Sequence, residues 1–387
     1  MRKIFRPAPV WPALLLLPLL GGYGYVFLHA EAQWQVAILA LAGVAAILAA
    51  GSRRVGAALD RSWRAAPSLL GWLAFVVAAA LIYVLREDHF ALLMVATVLL
   101  YALVCLGLNV QFGYAGVLNF AGAAFFGIGG YTAAVLAAHT ALPHLVILAS
   151  AGLLSGVVGS LLVLPLLRTR GHYAALITIA FAILFRTFLE VNDLLGGPQG
   201  LKVPGLAILG WSFNDSIVVD ADTEFSFYVA YAGFSLVLFT IGLILVWRLE
   251  RSWLGLSLDA VRIDETAASV FGFQVARWKI LAFSLGNVLA GVAGAVYGMM
   301  TGFVAPASFT LAESLIFVSI VILGGLGNPA AVLPATVLVV VLPEKLQFIQ
   351  EYRYLLFSAI VILILLFKPA GLLPRSLRRY FPSWGKA

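Results

Sequence analysis

Residues 108–131 read LNVQFGYAGVLNFAGAAFFGIGGY, an apolar run without a charged side chain that six glycines and three amides interrupt. A run of this length can cross the hydrocarbon core of a bilayer, which takes about 20 helical residues. Its amides need hydrogen-bond partners that lipid does not supply, and unwound backbone at membrane depth occurs only where it packs against protein or lines a cavity. The run therefore predicts a broken helix inside a membrane protein.

The composition of the whole chain excludes a water-soluble globular protein. Of its 387 residues, 63% are hydrophobic and 11% are charged, and the mean hydropathy is +1.05. Soluble domains are about 45–50% apolar and about 25% charged. The single cysteine, Cys105, lies in an apolar run, so disulfide frameworks and cysteine-based metal sites are excluded as well.

Apolar runs separated by charged breaks predict an all-α fold, a polytopic transmembrane helical bundle of about 10–12 spans, some of them broken or re-entrant. The start of the chain also has the outline of a secretory signal, for which we favour an uncleaved first span. The predicted runs are 10–30, 36–51, 67–85, 90–111, 117–138, 142–167, 173–190, 226–248, 279–302, 311–326, 329–345 and 353–367.

The basic residues fall on alternate connections between these runs. Nineteen of the 24 lysines and arginines lie in the segments 2–6, 53–64, 168–170, 248–279 and 368–386, while acidic residues dominate 191–225. Because cytoplasmic connections carry the lysine and arginine excess, this sorting predicts an even number of crossings with both termini cytoplasmic. The net charge of +7 is then a topology signal and not a nucleic-acid site.

Polar residues and glycines inside the runs are the candidates for a transport pathway. Asn109 and Asn119 favour a path-lining or helix-breaking role, and the later glycines fit small-residue helix packing equally well. A second break occurs at 322–329 (ILGGLGNP). Two glycine-interrupted segments in opposite halves of a transporter indicate a midplane site between broken helices. Arg186 and Glu190, four residues apart, are expected to pair near the end of a span.

The distribution of ionisable residues argues against two functional classes. A proton- or sodium-coupled carrier would hold such residues at mid-bilayer, and none is evident in the sequence. A polytopic membrane enzyme would need a nucleophile or a metal constellation at depth, but the five histidines fall in connections and no His-Glu-x-x-His or paired-carboxylate arrangement occurs. We therefore expect no catalytic or metal site.

The connection 249–278 reads as an amphipathic stretch. Leu254, Leu258 and Val261 share a helical face, charged residues flank them, and Gly272 is placed to end the helix. Such a stretch suits packing against another protein, and it suits lying at a lipid interface equally well.

Several motifs in this chain resemble those of one family. Residues 264–272 (DETAASVFG) resemble the EAA-type coupling motif of ABC importer permeases, and 277–284 continue as in the branched-chain amino-acid subgroup. Residues 113–131 are similar to that subgroup's first signature. Four further matches follow in family order at 170–181, 196–201, 323–327 and 367–372. The chain thus resembles the branched-chain amino-acid ABC transporter permease family, in its LivM-type branch.

The resemblance implies a subunit of a larger importer and not an enzyme in its own right. It implies transport of branched-chain amino acids across the inner membrane, with a second homologous permease, two cytoplasmic ATPase subunits and a periplasmic binding protein as partners. The chain has no Gly-x-x-x-x-Gly-Lys-Ser/Thr phosphate loop, so the resemblance leaves ATP hydrolysis to the partners, with no cofactor in this chain.

The resemblance also divides the chain and assigns its sites. The expected parts are variable transmembrane segments at 1–86, a core permease domain at 87–373 with a coupling helix at 254–272, and a basic tail at 374–387. The ATPase-coupling residues would be Arg262, Asp264, Glu265, Ala267, Ala268 and Gly272. The substrate pathway would be lined by Asn109, Gly113, Tyr114, Gly116, Asn119, Phe125, Gly127, Gly324, Gly325 and Gly327.

Some features stay open or depart from the family. The same architecture could import urea, short amides, other amino acids or a sugar, which the residues do not separate. Gly122 stands where family members often have His or Gln, and Leu256 and Asp259 stand where they tend to be basic. We expect Leu256 and Asp259 to alter the surface that meets the ATPase.

Overall fold

The structure is a computed structural model. It describes residues 10–345 apart from 31, 51–60, 64, 168, 170–171, 209, 216 and 221–222, and then 352, 355, 359, 362, 366, 371–373 and 375. The basic N-terminal segment, the predicted span 353–367 in all but isolated positions, and the predicted tail 374–387 apart from Arg375 lie outside the described residues.

The described residues form a helical membrane protein, as predicted. The helices are α1 Trp11–His29, α2 Gln33–Ala50, α3 Pro67–Val84, α4 His89–Asn109, α5 Gly122–His139, α6 His144–Leu166, α7 His172–Val191, α8 Tyr228–Arg251, α9 Trp253–Ile263, α10 Glu265–Val270, α11 Val275–Thr301, α12 Leu311–Gly324 and α13 Val332–Lys345. Among the described residues, nine helical segments are long and apolar enough to cross a membrane. The chain is a multi-pass membrane protein.

Short strands add a small β component that the all-α prediction did not include. The strands are β1 Leu201–Lys202, β2 Ala207–Ile208, β3 Trp211–Ser212, β4 Ile217–Asp220, β5 Thr223–Phe225 and β6 Phe303–Val304. They pair antiparallel as β1–β6, β2–β3 and β4–β5. The pairing of β1 with β6 ties the connection between α7 and α8 to the end of α11.

Glycines allow α11 to pack directly against its neighbours α5 and α6. A Cβ on Gly294 would lie 1.8 Å from the Phe126 backbone oxygen, and one on Gly152 would lie 2.7 Å from the Val292 side chain. Small residues let helix backbones approach this closely, which is how membrane helices gain van der Waals contact without a hydrophobic driving force. These three helices form the centre of the bundle, and α4 packs between α8 and α11.

Candidate functional site

The two glycine-rich breaks meet each other. Helix α4 ends in a π-helical turn, Val110–Tyr114, and the chain then runs without helix to Gly122. The Gly113 backbone lies against Gly327, since a Cβ on Gly113 would fall 2.3 Å from the Gly327 nitrogen. The Asn109 Oδ1 accepts a hydrogen bond of 2.7 Å from that same N–H. Asn109 therefore fixes one break to the other.

A short segment near the end of the chain completes the second break. We call residues 371–373 and 375 the C-terminal strap. The N–H groups of Leu372 and Leu373 donate to the carbonyl oxygens of Leu323 and Gly324, at 2.9 and 3.0 Å. The last carbonyls of a helix have no partner within the helix, so the strap supplies donors that the sequence of α12 itself lacks.

The strap ends in an arginine that contacts four parts of the fold. The Arg375 guanidinium donates to both carboxylate oxygens of Asp259 in α9, at 2.6 and 2.9 Å, and lies 3.3 Å from Glu250 at the end of α8. It stacks 4.3 Å from the Tyr114 ring centroid, and its Cδ lies against Gly327. The side chains of Arg375 and Asp259 are only 8% and 14% exposed.

The charge of Arg375 is stabilised where it lies. Burial alone would lower the pKa of its guanidinium, but the hydrogen bonds to Asp259 and the negative charges nearby raise the pKa above its usual value. The pairing directs the Asp259 carboxylate to the strap, whereas the Leu256 side chain of the same helix is exposed.

The predicted coupling helix is two helices and not one. α9 ends at Ile263, and Asp264 starts α10 by accepting hydrogen bonds from the N–H groups of Thr266 and Ala267, at 2.9 and 3.0 Å. Aspartate at this N-cap position satisfies helix donors while turning the backbone out of the helical region. The reason for the break is thus local, because the side chain that caps α10 interrupts α9.

Gly272 ends α10 as the sequence predicts. It has a φ of 85°, its N–H donates to the Ser269 oxygen, and the next N–H, of Phe273, donates to Ala268. This is the Schellman arrangement, which places a left-handed residue just after a helix. On the following helix, the Lys279 Nζ lies 2.6 Å from the Glu265 carboxylate, so α10 is also tied to α11.

The outer edge of this helix pair is apolar. Val270 and Phe271, at the end of α10, are 80% and 82% exposed, and Ile263 at the end of α9 is also exposed, whereas Ala268 is buried against the rest of the chain. Polar and charged residues surround these side chains in the connection 249–278. Exposed apolar residues within a polar rim are typical of a surface that binds protein.

The breaks lie against α9, and the midplane position predicted for them stays a prediction. The stem of Arg262 lies beside Gly116, since a Cβ on that glycine would fall 3.1 Å from Arg262 Cγ. The salt bridge between Arg375 and Asp259 lies at the same junction. The glycines of the two breaks therefore meet against α9 and against its salt bridge with the strap.

Three buried amides form a network deeper in the bundle. The Gln111 Nε2 donates to the Asn287 Oδ1 at 3.0 Å and to the Phe283 carbonyl at 2.9 Å. Asn119 donates to the Gln111 Oε1 at 2.8 Å, and its own Oδ1 accepts from the N–H of Ala121. Asn287 lies near the middle of α11. Asn119 thus holds the unwound chain after α4 against α11, which is the helix-breaking role of the two considered.

The predicted pathway residues are mostly packed within the chain. Phe125 stacks on Phe181 and meets Phe283 edge-to-face, with centroid separations of 5.4 and 5.9 Å. A Cβ on Gly127 would lie 2.8 Å from Phe309. Gly116 is exposed. The buried members do not line an open channel in this conformation. These buried residues are Asn109, Gly113, Tyr114, Asn119, Phe125, Gly127, Gly324, Gly325 and Gly327.

Three residues of this region were absent from the predicted sites. Gln111 and Asn287 complete the amide network, and Arg375 joins the strap to α9. A signal for Asn287 was available, because an amide in a long apolar run needs a partner. Arg375 gave no such signal, since it stood in a basic tail of ordinary composition.

Comparison with known proteins agrees with this architecture. Residues 90–365 match the family model described as branched-chain amino acid transport system, permease component. The high-affinity branched-chain amino acid permease proteins LivM of Salmonella typhimurium and Escherichia coli are 36% and 35% identical to the chain, covering 71% of it and 68% of each relative. The LivH permease protein of Salmonella typhimurium is 26% identical, over 71% of the chain and 91% of the relative.

No solved structure matches the chain significantly. The family match covers most of the sequence, includes α4 to α13, and extends over both breaks and the connection that carries α9 and α10. The chain therefore belongs to the permease components of branched-chain amino acid transport systems.

Proposed function

We propose that this chain is a permease subunit of an ABC importer that moves branched-chain amino acids across the inner membrane. Separate cytoplasmic ATPase subunits supply the energy, and a periplasmic binding protein delivers the substrate. The observation that carries this proposal is the apolar edge of Val270 and Phe271, exposed on a helix pair that is tied to the breaks in the membrane helices.

The helix pair has the properties of a docking surface for the ATPase. The chain has no phosphate loop of its own, so energy must enter through a contact with another subunit. α10 is fixed at its start by Asp264, at its end by Gly272, and to α11 by the ion pair between Glu265 and Lys279. Because α10 is held at both ends, displacing it would move α11 as a rigid body. Many packed domains change conformation by rigid-body movement of this kind.

The topology of the proposed importer follows from charge. The connection that contains α9 and α10 carries Arg248, Arg251, Arg262, Arg277 and Lys279, which favours a cytoplasmic location. The connection between α7 and α8 is acidic, which favours the periplasmic side. Both termini are then cytoplasmic.

The pathway is proposed to lie between this chain and a second, homologous permease. The relatives include both LivM and LivH proteins, which supports a pair of unlike permeases. Since the predicted pathway residues are buried here, we assign the two breaks the role of moving parts behind the pathway. Substrate would pass along a face completed by the partner.

The proposed cargo is a branched-chain amino acid, because the relatives are named for that transport. Urea, amides, other amino acids and sugars are the competing substrates. Proteoliposomes that contain the purified complex and ATP should take up labelled leucine, isoleucine and valine when the binding protein is present. If unlabelled urea, glucose or serine competes with the uptake of the labelled amino acids, the result identifies a different cargo.

Purification of the full chain from membranes tests the assembly. We expect a second permease and nucleotide-binding subunits to co-purify, and uptake to stop without ATP. ATP-independent transport by this chain alone would identify a carrier and overturn the proposal.

A further inference from the structure

We infer that Arg375 is a positioning residue that transmits displacement of the helix pair α9 and α10 to the two breaks in the membrane helices. The inference rests on the proposed ATP-driven function. The inference goes beyond that function because it names the contact through which the motion passes. This contact lies in the C-terminal strap and not in the coupling motif.

The Arg375 guanidinium binds α8 and α9, the helices that the ATPase would displace. Arg375 binds Asp259 through both carboxylate oxygens, at 2.6 and 2.9 Å, and Glu250 at 3.3 Å. These acids belong to α9 and α8, on either side of the turn at Ser252. A bidentate pair fixes the relative orientation of the guanidinium and the carboxylate, since its two parallel hydrogen bonds form together only in one geometry.

The other end of the link holds both breaks. The strap is hydrogen-bonded to the end of α12 through Leu323 and Gly324. Its guanidinium lies over the Tyr114 ring at the end of the π-helical turn, and its Cδ lies against Gly327. Arg375 therefore contacts α9, the break after α4 and the break after α12 at the same time.

The choice of arginine is informative. A lysine would retain the charge but would offer neither a planar fork for Asp259 nor a flat face for Tyr114. Replacing a buried ion pair by apolar residues is often neutral or stabilising, so stability alone gives no reason for a charged link at this position. Directional contact between moving elements does give one.

The test compares hydrolysis with transport in the reconstituted complex. We expect the complex that carries Arg375→Leu to assemble and to hydrolyse ATP, but to take up about tenfold less substrate for each ATP hydrolysed. A change of this size is within the range for residues that couple distant sites. Arg375→Lys should lower the ratio less. The combined variant Arg375→Asp with Asp259→Arg should recover part of it. Arg186→Leu, which removes the exposed pair with Glu190, should leave it unchanged.

The outcomes separate the inference from the function on which it rests. An unchanged ratio of uptake to hydrolysis in Arg375→Leu overturns the inference alone. A loss of assembly in Arg375→Leu, together with an unchanged ratio in Arg375→Lys and no recovery in the swapped pair, shows a structural role and also overturns it. If the wild-type complex shows no ATP-driven uptake, the proposed function fails and the inference fails with it.

Discussion

Gly129 and Gly291 bring α5 and α11 into main-chain contact, since a Cβ on Gly129 would lie 1.9 Å from the Gly291 backbone oxygen. We expect Gly129→Ala to force the helices apart and to lower the thermal unfolding temperature of the purified chain. Overpacking typically costs about 1–3 kcal/mol, and more where backbone must move. Gly233→Ala in α8, where nothing lies within 4 Å, is the matched control and should be neutral or stabilising.

Gly272 tests whether the end of α10 matters for coupling. Its φ of 85° favours glycine, tolerates asparagine and strains a β-branched residue by about 1–2 kcal/mol or more. Gly272→Val should weaken the stimulation of ATP hydrolysis by loaded binding protein, whereas Gly272→Asn should retain most of it. Equal activity of the two variants would show that the left-handed turn is not needed.

Phe271 tests the docking surface itself. Its side chain is 82% exposed, and buried aromatic contacts at interface centres are worth about 2 kcal/mol or more. Phe271→Asp should reduce the co-purified ATPase by at least about tenfold, with membrane insertion unchanged. Leu194→Asp replaces an apolar side chain that is 91% exposed, in the acidic connection far from α10 in sequence, and serves as the control. Undiminished ATPase recovery in Phe271→Asp contradicts the assignment.

Removing the whole amide network should cost less than the sum of the losses when its three members are removed one at a time. Asn287→Leu leaves Gln111 without one of its acceptors in the core, and each buried group left unpaired costs about 1–3 kcal/mol. The triple change of Gln111, Asn119 and Asn287 to leucine removes the three amides together, although the Ala121 N–H loses its acceptor on Asn119. We expect it to lower the unfolding temperature by less than the sum of the three single changes. Additive losses would show independent contacts.

The proposed topology can be checked with cysteine labelling, because Cys105 is buried and gives little background. Leu194→Cys lies in the acidic connection at a position 91% exposed, and Ser269→Cys lies in α10. An impermeant thiol reagent should label the first in spheroplasts and the second only after the membrane is permeabilised. Labelling of residue 269 without permeabilisation would place the helix pair outside and remove the ATPase contact.

Local sequence patterns predicted most of the helices and some of their details. Apart from α9 and α10, which lie in the connection 249–278, the helices from α1 to α13 match the predicted apolar runs within a few residues. Burial in lipid imposes a length and a composition that a run of sequence carries by itself. The spacing of Arg186 and Glu190 predicted their pair, which is 2.8 Å long. Gly272 predicted a helix end for the same kind of local reason.

The arrangement at the junction was not predictable in this way. Asn109 meets Gly327, and Arg375 meets Asp259, across large separations in sequence. Periodicity carries no information about such partners. Glycine was also ambiguous, because the residue that permits a break at Gly116 permits close helix packing at Gly129. Only the neighbour that each glycine touches distinguishes the two uses.

The strap has a consequence for how the protein is made. The carbonyls of Leu323 and Gly324 receive their donors from Leu372 and Leu373, which leave the ribosome after α12 and α13 have been synthesised. Until then the break after α12 lacks these hydrogen bonds, and Asp259 has only its longer contact of 3.9 Å with Arg262. A nascent chain that stalls before the strap would therefore leave the junction unfinished.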